Sequence, residues 1–108
     1  MNKNYTFSPK NRYLTRGVNE TIPLAMQIVM WDMIDTLVKS DINADYLQVF
    51  NFKVDRDNLV LTHTQEQPEY KNEVSYPLSD ELKALDKVKI FVIDDAPSHA
   101  TMLLASEY

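Results

Sequence analysis

Residues 46–65 read YLQVFNFKVDRDNLVLTHTQ, and this stretch decides the fold. Tyr46 to Val54 is rich in aromatic and β-branched residues, and Leu59 to Gln65 is its match in length and type. Between them, Asp55-Arg56-Asp57-Asn58 supplies polar turn formers. Strand, turn and strand in this order predict an antiparallel hairpin. A hairpin is not stable alone, so an apolar element elsewhere in the chain must cover one of its faces.

That element lies upstream. Pro23 to Lys39 reads as the longest helix of the chain. Thr21 or Asn19 is expected to cap it, Pro23 to fit its first turn, and Glu20 to complement its positive end. At about 100° per residue, Ile22, Met26, Val29, Met30, Met33 and Leu37 share one face. Gln27, Asp32, Asp35, Thr36 and Lys39 lie on the other side, with Leu24, Ile28, Trp31 and Val38 interleaved among them. A two-layer domain offers this second apolar stripe no internal partner. Either the C-terminal segment or the 66–77 segment folds over it, or it is a contact surface. Trp is enriched at the centres of interfaces and flexible Met suits an adaptable one.

Working outward, residues 1–11 (MNKNYTFSPKN) read as a polar, loosely ordered lead-in. Residues 12–16 suit a short strand, and Gly17 a turn after it. Residues 66–77 (EQPEYKNEVSYP) hold two prolines and read as an extended loop. Ser79 caps a short helix through Leu85, residues 87–94 form a strand, and Asp95-Ala96-Pro97-Ser98 breaks it. Residues 101–105 read as a returning strand. The expected order is β-α-β-β-(short α)-β-β: a single α+β domain over residues 12–108, with one long helix packed on a mostly antiparallel sheet.

Composition narrows the functions. The chain has 108 residues, 44% hydrophobic and 25% charged, with no Cys and a single Gly. Without Cys there is no disulfide framework, thiolate nucleophile or Cys-ligated metal. With one glycine there is no phosphate cradle or dinucleotide finger. Residues 1–16 carry Lys3, Lys10, Arg12 and Arg16 and no acid, whereas the remainder carries the other seven bases and all sixteen acids, for a formal net charge of −5 overall. An acidic body disfavours nucleic acid, because Lys and Arg supply most phosphate affinity. The longest apolar run, Ile28-Val29-Met30-Trp31, is far below a membrane span, and no signal segment opens the sequence, so a cytoplasmic protein is expected.

Few residues suggest chemistry. His63 is followed by Glu66 and Glu69, and His99 is preceded by Asp94 and Asp95. A His–carboxylate cluster can hold a metal or move a proton, but no ligand spacing such as H-E-x-x-H is present. His63 is expected to face the surface, and Asp94-Asp95 to serve the turn. Ser98 and His99 are not expected to form a dyad, since adjacent side chains seldom meet. Catalytic residues, a cofactor and a metal are therefore not assigned; His63, Asp94, Asp95 and His99 remain the enzyme-like alternative.

Five strings carry a resemblance: Arg12 to Asn19 (RYLTRGVN), Asp45 to Phe50 (DYLQVF), Pro68-Glu69-Tyr70, Val92 to Asp95 (VIDD) and Thr101 to Leu104 (TMLL). They resemble a small single-domain family of Gram-positive bacteria and their phages, known as a domain of unknown function, over residues 12–108. The resemblance implies a free-standing cytoplasmic domain and supplies no activity, cofactor or catalytic residue. The expected function is a non-enzymatic interaction or regulatory module acting on another protein or on itself, through Leu24, Ile28, Trp31 and Val38 or through an exposed sheet edge. The alternatives are a His-based enzyme and a nucleic-acid-related role, as weak binder or acidic mimic.

Overall fold

The computed structural model describes residues 5–95 and 98–108. Six strands make one sheet: β1 (Arg12–Leu14), β2 (Leu47–Asp55), β3 (Asn58–Gln65), β4 (Tyr70–Pro77), β5 (Lys89–Asp95) and β6 (His99–Leu104). Their spatial order is β1-β6-β5-β2-β3-β4, antiparallel throughout except for the parallel pair β1–β6. Three helices accompany them: α1 (Arg16–Thr21), α2 (Leu24–Lys39) and α3 (Asp80–Lys83), with a final 3-10 turn over Ala105–Glu107. The α+β class and the long helix over a mostly antiparallel sheet are as the sequence predicts.

The hairpin forms as expected, closed by the pair Asp55↔Asn58. Alternation then sorts each strand between two faces. Gln48, Phe50 and Phe52 of β2, Leu59, Leu61 and His63 of β3, Ile90 and Val92 of β5, and Ala100 and Met102 of β6 are buried on one face. Met26, Met30, Met33, Ile34 and Leu37 of α2, Val18 of α1 and Leu85 after α3 join the apolar members in a single core. At roughly 25 cal/mol per Å² of apolar surface, this one cluster supplies most of the drive to fold.

Three expectations are corrected. Residues 70–77 are a strand, not a loop. Tyr70, Asn72, Val74 and Tyr76 alternate toward the helical side while Lys71, Glu73, Ser75 and Pro77 are exposed. The period was legible, but the prolines masked it. Pro68 lies in the turn before the strand, joined by a cis peptide bond to Gln67, and Pro77 ends an edge strand, where a missing donor is tolerated.

The helix start also differs. Residues 16–21 form their own helix, capped by the Thr15 hydroxyl, which accepts from the Val18 amide at 3.3 Å. Pro23 therefore stands before α2 rather than inside its first turn, and no side chain caps α2 there. Gly17 sits in the first turn of α1, not in a connecting turn. Gln27, expected on the polar side of the long helix, is buried because its amide donates to the Ile22 carbonyl at 2.8 Å across the junction of the two helices.

Last, the expected loose lead-in is packed from residue 5. Phe7 is 0% exposed and belongs to the core. Its amide donates to the buried Asp94 carboxylate at 3.0 Å, and its carbonyl accepts from Arg12 Nη2 at 2.7 Å. Among the described residues, no helix is long and apolar enough to cross a membrane.

Candidate functional site

The second stripe of α2 is divided. Leu24 and Ile28, near the helix start, are 69% and 51% exposed. Trp31 and Val38 are half-buried and pack against the core. Arg12 covers Trp31, with its guanidinium carbon 4.7 Å from the ring centroid while it pairs with Asp35. So Arg12 of β1 closes the stripe at Trp31, Val38 packs on the core, and Leu24 and Ile28 stay open.

The four residues of the enzyme-like alternative are not brought together. His63 is 0% exposed and faces the core, which corrects the expected surface ring. It stacks on Phe50 at 4.4 Å between centroids and meets the edge of Tyr70 at 5.4 Å. Its Nε2 lies 2.6 Å from Gln48 Oε1. The Gln48 amide nitrogen already donates to Gln65 Oε1 at 2.8 Å, so His63 Nε2 carries the proton and donates. Nδ1 is then a bare buried acceptor without a hydrogen-bond partner among the described residues. Burial pushes the ring's pKa down to about 4. A ring held neutral inside the core serves packing and not proton transfer.

Asp94 points to the same face as His63 but is occupied by the Phe7 amide. Asp95 and His99 lie opposite one another on the other face, where β5 turns into β6. Their side chains approach to 3.5 Å, and His99 Nδ1 lies 2.9 Å from Ser98 Oγ, so the adjacent pair does meet, contrary to expectation. The arrangement looks like a triad in composition only. Ser98 Oγ donates to the Asp95 carbonyl at 2.9 Å, which leaves the imidazole to donate to Oγ rather than to deprotonate it. It is a hydrogen-bonded hairpin turn. No group of His and carboxylate side chains among the described residues is arranged to hold a metal ion.

Sequence reasoning missed the larger surface. On the face turned away from all three helices, Leu47, Val49, Val60, Phe91, Ile93 and Leu103 are half-buried, and none of them packs on the core. The register aligns Leu103, Phe91 and Val49 in one row across β6, β5 and β2, and Thr101, Ile93 and Leu47 in the next. Alternation within β2 and β5 was the available signal, and the missing information was which strands stand side by side. Charges on this face are balanced: Lys53, Lys71 and Lys89 against Asp55, Glu73 and Asp95. Toward β4 lies a groove of about 910 Å³ lined in part by Leu47, Val49, Thr64, Lys71 and Lys89.

Comparison with known proteins adds identity without activity. A family model described as a Staphylococcal protein of unknown function (DUF960) matches residues 11–107. The crystal structure of a protein of unknown function from Enterococcus faecalis superposes with a TM-score of 0.79, at 24% sequence identity, over 95% of each chain. At that identity the likeness shows the fold. No curated protein matches. The resemblance read from the sequence is borne out in a family of Gram-positive bacteria, and the chain belongs to the DUF960 family of proteins of unknown function.

Proposed function

We propose that this protein is a non-enzymatic interaction module whose contact surface is the sheet face opposite the helices. The observation that supports the reading is the pair of apolar rows, Leu103–Phe91–Val49 and Ile93–Leu47, on a face that α1, α2 and α3 leave uncovered and that the Tyr108 ring meets, edge-on to Phe91 at 5.5 Å. These side chains are half-buried among their neighbours on the sheet, and their remaining apolar surface is contiguous, the kind of patch that suits a protein contact. Three lysines balanced by three acids suit a protein partner, since a nucleic-acid surface needs a cationic excess. Leu24 and Ile28, on the helical side, are a second and smaller contact.

The test is capture of partners from an extract of Gram-positive cells with three baits: wild type, Phe91→Lys and the pair Leu24→Ser, Ile28→Ser. Phe91→Lys still melts cooperatively as a folded domain and loses the retained protein. The α2 pair keeps most of it. Equal retention by wild type and Phe91→Lys overturns the assignment of the face.

A further inference from the structure

We propose that β4 pairs antiparallel with β4 of a second copy of this chain, joining two six-stranded sheets edge to edge. The proposal rests on the interaction reading and gives it a partner, but on a different surface.

Backbone polarity carries the first step. The Leu78 amide donates to the Asp57 carbonyl at 2.8 Å, one pair beyond Asn58↔Pro77 in the β3–β4 ladder. Bonded and non-bonded pairs alternate along an antiparallel ladder. Tyr76, Val74, Asn72 and Tyr70 therefore use their amides and carbonyls on β3. Lys71, Glu73, Ser75 and Pro77 aim theirs at the free edge. Two observations agree: the Glu73 amide is held by the Asn72 side chain at 2.9 Å and not by β3, and the residue without an amide hydrogen, Pro77, falls at an outward position. The other edge of the sheet, β1, has 3 residues, against 8 in β4.

Side chains choose the register. An edge-to-edge ladder must oppose outward residues with outward residues, so the two-fold axis passes through a residue of β4. With the axis at Asn72, Lys71 meets Glu73 of the second copy, and Glu73 meets its Lys71. Tyr70 then meets Val74, an aromatic–β-branched pair of the kind that stabilises sheets, and Asn72 meets Asn72. With the axis at Glu73, the two Glu73 carboxylates oppose each other, which is destabilising. With the axis at Val74, Lys71 faces Pro77 and no charges pair. Lys and Glu on an edge can also serve as guards against pairing. The strand's self-complementarity about Asn72 favours the pair over the guard, and the experiment separates them.

The full chain, of 12.6 kDa, is measured by sedimentation equilibrium over a concentration series. Wild type is expected at twice that mass. Lys71→Pro removes an outward donor inside the paired stretch without touching the β3 ladder and returns the monomer. Lys71→Glu and Glu73→Lys each weaken the dimer by about tenfold or more, and the double exchange restores it. Phe91→Lys leaves the mass unchanged. A wild-type monomer at every concentration, or a dimer that Lys71→Pro and both charge reversals leave intact, overturns the proposal. A monomer whose partner capture still depends on Phe91 rejects the edge while keeping the open face; a dimer with Phe91-independent capture does the reverse.

Discussion

The Glu107 carboxylate occupies the space a side chain on Gly17 would need. A Cβ built there would lie 2.5 Å from Glu107 Oε2 and 2.8 Å from its Cδ. Glu107 Oε1 accepts from the Thr15 hydroxyl at 2.6 Å and from the Leu104 amide at 2.8 Å. The final turn of the described chain thus places a negative group at the positive start of α1, and the only glycine in the sequence is what admits it.

This relationship predicts a coupled pair. Gly17→Ala brings the usual helix-propensity gain of about 1 kcal/mol but evicts the carboxylate. Glu107→Gln is expected to destabilise the wild-type chain and to have no effect in the Gly17→Ala background, as read by a double-mutant cycle in urea. Additive effects would reject the pairing. The Thr15 hydroxyl, and then the Leu104 and Gly17 amides, hold the Glu107 carboxyl below its ordinary range. Its contribution is therefore present at neutral pH and is lost as the pH falls through that lowered value.

His63 predicts a second acid sensitivity, at higher pH. The folded ring titrates at about 4 and the unfolded one at 6.5. Between these values the unfolded chain takes up a proton that the folded chain refuses. Stability is therefore full above about pH 6.5 and falls by about 3 kcal/mol on the way to pH 4, with no further loss from this group below it. His63→Gln, which can still donate to Gln48, is expected to flatten the slope of unfolding free energy against pH over this window. An unchanged slope would assign the effect elsewhere.

Arg12 predicts an asymmetry between two cations. Its Nε and Nη2 both donate to the Phe7 carbonyl, its fork pairs with Asp35, and its plane lies over Trp31. Lysine keeps the charge but not the fork or the stacking. Arg12→Lys is expected to lower stability by about 1–2 kcal/mol and to shift the emission of Trp31, the chain's one tryptophan. A variant matching wild type in both would show that Arg12 acts only as a point charge.

These contacts also explain what the sequence revealed and what it withheld. The hairpin, the long helix and β5 were legible because a regular period announces itself within a few residues. β4 was hidden by prolines whose meaning depends on its being an edge, and that depends on strands distant in sequence. Phe7 looked like part of a solvated tail because its anchor, Asp94, lies 87 residues away. His63 looked like a surface ring because its partners Gln48, Phe50 and Tyr70 come from the two neighbouring strands. The apolar rows of the open face appear only when β6, β5 and β2 are set side by side. Local chemistry was readable, and adjacency was not.

The parallel pair β1–β6 has a consequence for the order of events during synthesis. Residues 12–14 pair with residues 100–102. β2, β3 and β4 follow one another as a meander and can zip as they emerge. Translation runs at about 5–20 residues per second, so β1 waits several seconds after leaving the ribosome before its partner exists. During that interval Phe7 and Val18 have no complete core to enter.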